Sequence, residues 1–284
     1  ANTLLEQRAA NNETFDWYDL VLQDGFQHNT YLNFNGIAAG GIGYNLGLGV
    51  QNETGNIANE ALDKYSFKAG LNHRINDQFT YGLNTTLTFT DEQLGSELAM
   101  REAFRLNPFL SPYGLDGETL FPQPGKLVDE NGDFLINKTS TYNPLLEIAN
   151  TQDEIRRWTG IGNVYLQYSP ITWLTFKSTF APSFTNARRG RAWGAMTNRG
   201  ISNNNLPSAD LENSQNFNYT WDNQFDIDYD IDENNSLSLL GLQSLFSTRT
   251  EGSSISARNL PFDTDFYNIG SGDQSTYNIG SFFV

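Results

Sequence analysis

The sequence predicts an all-β chain, a segment of an antiparallel transmembrane β-barrel with long extracellular loops. Three observations predict it. Apolar and polar residues alternate with period two, the alternating stretches are longer than strands of soluble sheets, and the links between them are alternately short and long. Successive side chains of a strand point to opposite faces, so such alternation separates an apolar face from a polar one.

Taken in order, Thr30–Gly36 is a strand with less clear faces. In Ile42–Val50 the residues Ile42, Tyr44, Leu46, Leu48 and Val50 alternate with Gly43, Asn45, Gly47 and Gly49. A weaker alternation runs from Tyr65 to Ile75. Between Phe79 and Phe89 the odd positions carry Phe79, Tyr81, Leu83, Thr85, Leu87 and Phe89, and the even ones Thr80, Gly82, Asn84, Thr86 and Thr88. Trp158–Tyr168 and Leu174–Phe184 repeat the pattern more weakly. It returns strongly in Phe217, Tyr219, Trp221, Phe225, Ile227 and Tyr229, set against Asn218, Thr220, Asp222, Gln224, Asp226 and Asp228. Leu237–Phe246, the eighth strand, again has less clear faces, and Thr276–Val284 starts a ninth.

Length separates a membrane strand from a soluble one. Eleven residues at about 3.3 Å each span roughly 36 Å. Tilted near 45°, they cover about 25 Å, the height of an outer-membrane apolar band. Aromatic residues lie near the ends of the apolar faces, where interfacial girdles sit. The short links are Ile37–Gly40, Asn76–Asp77, Pro170–Thr172 and Asp232–Asn235. The long ones are Gln51–Asp63, Asp91–Ile155, Arg188–Ser214 and Thr250–Ser275. Barrels of outer membranes pair short periplasmic turns with long extracellular loops.

Composition excludes several functions. The 284 residues hold 33 acidic and 17 basic side chains, a formal charge of −16, which opposes nucleic-acid binding. With no cysteine and two histidines, thiol chemistry, disulfides and histidine metal clusters have no material. No apolar run is long enough for a transmembrane helix. No Asp–Glu pair stands out as catalytic, and the chain reads as a non-enzyme without cofactor or metal. Asp226, Asp228, Asp230 and Asp232 lack the Gly and Glu that a calcium loop of the EF-hand type requires, and they read as an acidic stripe on a polar strand face.

Several stretches resemble the SusC/RagA-like TonB-dependent transporters of Gram-negative outer membranes. They are Asp16–Tyr18, Gly25-Phe26-Gln27-His28-Asn29, Tyr31-Leu32-Asn33-Phe34-Asn35-Gly36, Tyr65–His73 and Tyr81-Gly82-Leu83-Asn84. Tyr142-Asn143-Pro144-Leu145, Gly162–Tyr168, Leu174–Ser178, Asn218–Asn223 and Ser281–Val284 complete the set. The resemblance implies a 22-stranded barrel with an N-terminal plug, of which this chain supplies about eight or nine strands. Residues 1–27 then form an extracellular loop, 28–250 about eight strands with their loops, and 251–284 a loop and the start of a ninth strand. It further implies an outer-membrane location amid lipid, a SusD-like surface lipoprotein as lid, TonB acting through a plug segment, and an oligosaccharide or peptide as cargo. A piece of wall without plug should neither transport nor refold alone into a stable barrel. Two other readings stay open: an extracellular glycan-binding or adhesin β domain, and a small complete outer-membrane barrel.

Two loop clusters are candidates for ligand or partner contact, since Arg and aromatic residues anchor partners and stack on sugars or peptides. One holds Arg188, Arg189, Arg191 and Trp193, with Arg199 nearby. The other is the rigid aromatic loop Pro108–Pro124, with Tyr113 and Phe121. The polar-face residues Asn84, Thr86, Asp222 and Gln224 are expected to face the lumen or plug. Leu94–Leu106 is expected to carry a short packed helix.

Overall fold

A computed structural model describes residues 3–135, 139–263, 265, 266, 269 and 273–283, the last group by its backbone. Nine strands form one antiparallel sheet in strict chain order. They are β1 (Phe26–Ala38), β2 (Ile42–Thr54), β3 (Glu60–Arg74), β4 (Phe79–Leu94) and β5 (Thr151–Ile171), followed by β6 (Leu174–Trp193), β7 (Ser208–Asp232), β8 (Asn235–Arg258) and β9 (Asp273–Phe283). Four short helices decorate one end: α1 (Thr3–Asn11), α2 (Ala99–Arg105), α3 (Pro144–Asn150) and α4 (Asn198–Ser202). Among the described residues β1 and β9 pair only inward, with β2 and β8, so the sheet is a length of wall and not a closed barrel.

Every strand read from the alternation is present, and each is longer than expected. β7 runs for 25 residues and β8 for 24. The expected long links shrink accordingly: 55–59 replaces Gln51–Asp63, 194–207 replaces Arg188–Ser214, and 259–272 replaces Thr250–Ser275. Ladder hydrogen bonding runs past the alternating stretches, because backbone pairing does not require an apolar face. The expected ninth strand is present as Asp273–Phe283, and Val284 lies outside the described residues. The expected helix begins at Ala99, five residues later than the sequence reading placed it.

The register joins the apolar faces into continuous rows. Tyr65 pairs with Phe89 and Phe89 with Trp158, with ring centroids 6.3 and 4.6 Å apart. Ten residues further along β4, Phe79 lies 4.5 Å from Tyr168, which pairs with Phe176; Phe176 lies 4.9 Å from Phe225. Ten residues at about 3.3 Å separate the two aromatic rows by roughly 33 Å along the strand. Trp158 and Phe225 are half exposed on that face, where Asn186 pairs with Trp158 and Asn223 is the next residue of β7 on the side of Phe225.

Among the described residues the strands themselves carry one small buried cluster, Ala192 and Ala209 with Phe266. The main buried cluster lies at the long-loop end, where the N-terminal segment meets the 95–150 loop: Trp17, Val21, Ala99, Ala103, Leu106, Leu110 and Leu127. Trp17 Nε1 donates to the Asn107 carbonyl at 3.1 Å, and Phe15 N to that of Pro108 at 2.8 Å. Residues 1–27, expected as a plain loop, thus contribute a helix and an apolar anchor to a cap, and β1 already starts at Phe26.

Candidate functional site

The polar face of the sheet carries a lateral row of amides. Asn35 pairs with Asn45, Asn45 with Gly70, Gly70 with Asn84, and Asn84 with Asn163. One level nearer the short turns, Gly43, Asn72, Gly82 and Tyr165 are successive partners. A Cβ on Gly82 would stand 2.3 Å from the Tyr165 ring, so only glycine lets that ring lie flat across β4. Its hydroxyl reaches Asn72 Oδ1 at 3.5 Å, and Lys177 Nζ sits 4.9 Å from the ring centre. The missing side chains leave two shallow recesses of 390 and 350 Å³, both lined by Asn45, Gly70 and Asn84.

Of the residues expected on this face, Asn84 and Thr86 stand in the recesses, while Asp222 and Gln224 lie on β7, away from them. Asp222 accepts from Ser244 Oγ, and Gln224 Nε2 donates to both oxygens of Asp226. The acidic stripe ends in turn chemistry: Asp232 accepts from Asn234 N at 2.9 Å and from Asn235 Nδ2 at 2.8 Å.

The arginine cluster is not a loop cluster. Arg188, Arg189, Arg191 and Trp193 close β6, paired on both sides by β5 and β7. Because neighbours in a strand point opposite ways, the cluster splits. Arg188 shares the apolar face and its guanidinium lies 5.5 Å from the Phe266 ring, which itself fills the space over Gly190, Ala192 and Ala209. Arg189, Arg191 and Trp193 share the polar face. There Arg189 holds Asp153 through two bonds of 2.9 and 2.6 Å, and Arg191 pairs with Glu212 and, at 3.7 Å, with Asp210. Arg199 of α4 bonds Asp210 at 3.4 Å and stacks 3.7 Å above the Trp193 ring centre, with Arg191 at 5.7 Å. A tryptophan flanked by two guanidiniums and ringed by carboxylates offers both a stacking plane and hydrogen-bonding groups.

The aromatic loop is held in place from below. Asn143 caps α3 by accepting from Leu145 N and, through Nδ2, bonds the carbonyls of Pro112 at 2.8 Å and Phe121 at 3.0 Å. Phe121 packs against the buried cluster, so it serves the cap's interior; Tyr113 stays half-exposed beside it, in an isolated bridge with Leu120.

Sequence reading missed the buried acids of the cap. Glu102 is fully buried; Arg101 and Arg105 both reach its Oε1 at 3.0 Å, and its Oε2 accepts from Tyr142 N at 3.0 Å. Glu147, 1% exposed, accepts from Asn198 N through Oε1. Asn143-Pro144, an N-cap followed by proline at the first helical position, was the available signal for α3.

No family model matches the chain. It is 25% identical over 286 aligned residues to the TonB-dependent receptor P26 of Formosa agariphila, an alignment covering 94% of this chain and 27% of that protein. It superposes on the structure of the RagAB peptide transporter with a TM-score of 0.67 at 16% identity, over 95% of this chain and 30% of the other. The RagAB peptide importer in its open-open state gives 0.68 at 15% identity, over 96% and 30%. The chain therefore spans about a quarter to a third of the relatives it matches. The resemblance is thus to a TonB-dependent receptor in sequence and to RagAB in fold.

Proposed function

We propose that this chain is wall and loop of an outer-membrane TonB-dependent active transporter that imports a bulky nutrient, an oligosaccharide or a peptide, beneath a SusD-like lipoprotein lid. The observation that carries the reading is the segregation of the two faces from β2 to β7 of an antiparallel sheet. Aromatic rows roughly 33 Å apart along the strand bound an apolar band on one face, and an asparagine- and glycine-lined surface covers the other. A soluble glycan binder would leave Tyr65, Trp158, Phe217 and Phe225 in water, all near half exposed.

In this reading the short turns are periplasmic and the capped, long-loop end is extracellular. The apolar face meets lipid, and the amide row faces the lumen or plug. Amides and glycines there offer hydrogen bonds without fixed charge, so a neutral, hydrogen-bonding cargo or plug backbone meets little desolvation penalty. Trp193 and Arg199 at the mouth give the first stacking contact for incoming cargo. Energy would come from TonB pulling on a plug segment, and the wall's part is rigidity and shape. The relationship to a TonB-dependent receptor and the shared fold with peptide importers support this assignment.

The test begins with the denatured mass of the native polypeptide in its source membrane. A mass several times 31.9 kDa is expected. Deleting its gene should abolish uptake of one class among size-fractionated, labelled oligosaccharides and peptides, and deleting TonB should do the same. A native mass near 31.9 kDa, or uptake indifferent to both deletions, overturns the proposal.

A further inference from the structure

Two loops at the long-loop end are joined through one carboxyl group. Glu147 lies in the first turn of α3, in the β4–β5 loop, and its Oε1 accepts the backbone N–H of Asn198, the first residue of α4 in the β6–β7 loop. Its Oε2 is buried and has no hydrogen-bond partner. The α4 end of the contact is firm. Thr197 caps α4 by accepting from Gly200 N at 3.0 Å, and its hydroxyl donates to the Gly194 carbonyl at 2.8 Å. Gly194 N in turn donates to the Asn150 carbonyl at 2.8 Å, which ties the same two loops a second time. From α2, Glu102 and Arg101 face Glu147, and Arg105 is held on Glu102.

A buried carboxyl with one donated N–H and one bare oxygen is stable when neutral and strained when charged. We propose that Glu147 is a proton-operated latch between the β4–β5 and β6–β7 loops, closed while its carboxyl is protonated and loosened when it ionises. Burial pushes this carboxyl up to about 7, and the negative charge of Glu102 adds to the push; the Asn198 N–H and Arg101 act against it. The opened loop exposes an ordinary carboxyl that ionises near 4.5. The closed form therefore binds the proton more tightly. Opening is favoured as pH rises from 4.5 towards 7, up to about tenfold per unit, and levels off above 7.

The experiment uses the full-length protein in detergent and reads hydrogen–deuterium exchange of segments 139–150 and 194–203, corrected for the intrinsic pH dependence of exchange. In the wild type, opening of both segments should rise on the order of a hundredfold between pH 5 and pH 8. Glu147→Gln keeps the acceptor oxygen and removes the titration, so its profile should be flat. Asn198→Pro deletes the donated N–H at the first helical position, where proline is tolerated, and Thr197 before it is already extended at φ −79°, ψ 164°. In that variant segment 194–203 should exchange fast at pH 5, while 139–150 still titrates with a raised midpoint. A flat wild-type profile, or Glu147→Gln following the wild type, overturns the latch; should that variant not fold, slow exchange of 194–203 in Asn198→Pro at pH 5 does so. The latch does not depend on which cargo is carried, so its failure leaves the transport assignment standing.

Discussion

The guanidinium carbon of Arg199 lies over the indole of Trp193, 3.7 Å from the ring centre, while the same arginine holds Asp210 at 3.4 Å. One residue comes from the end of β6 and the other from α4, so the stack exists only because the 194–207 loop folds back over the polar face. Trp193→Ala should weaken cargo binding by the full-length protein roughly tenfold or more, the usual cost of losing an aromatic anchor. Binding of fractionated oligosaccharides and peptides, followed by native mass spectrometry, measures it. Arg188→Ala, on the opposite face, should leave binding unchanged; equal losses in both variants would remove the mouth site.

Glu102 is the electrostatic centre of the cap, with two arginines and one backbone N–H on a fully buried carboxylate. Glu102→Ala leaves the Tyr142 N–H without its acceptor and the two arginines without their anchor, at a cost of about 1–3 kcal/mol to the loop. Both arginines remain half-exposed and regain water, which limits the loss. Limited proteolysis should cut the 95–150 segment faster in the variant while the wall strands stay protected.

The assignment of faces makes opposite predictions for neighbours in β4. Leu83 lies on the apolar face midway between the aromatic rows, and Asn84 lies on the polar one. Leu83→Arg should destabilise the assembled protein by about 2–4 kcal/mol, the cost of a charge at the bilayer midplane. Asn84→Arg should cost little, since its face is wet or plug-lined. Urea unfolding of the full-length protein in lipid vesicles separates the two, and a reversed order would invert the faces.

The open sheet predicts the behaviour of the isolated 284-residue chain. β1 offers one edge of 13 residues, and Asn235–Leu245 of β8 has no partner beyond it among the described residues. Unpaired strand edges in lipid are costly because nothing satisfies their backbone groups. The isolated chain in detergent should show no heat-modifiable shift in gel mobility. A reversible shift would mean that it closes on itself.

Strand identity was legible in the residues alone, and so was the facing of the strongly alternating strands, though not that of Thr30–Gly36 or Leu237–Phe246. Phe79 to Phe89 declared its two faces because period-two alternation is a local property that any solvent boundary prints on a strand. Short links such as Asn76–Asp77 were legible because turn residues interrupt that alternation. The upper halves of β5 to β8 were not: Arg188–Trp193 and Ser208–Gln215 lose the period-two alternation, and a polar stretch without it reads equally as loop or strand.

Tertiary structure decided the rest, through contacts between residues far apart in the chain. Parity along β6 sent Arg188 to Phe266 and Arg191 to Asp210, dividing a cluster that sequence showed as one. Glu102 is met by the Tyr142 N–H forty residues on, and Glu147 by the Asn198 N–H from the β6–β7 loop. Hydrophobic patterning reports which solvent each face of a strand meets, and so the sequence by itself determined the wall. What a polar loop residue touches depends on which distant segment folds over it, and that only the assembled structure decides.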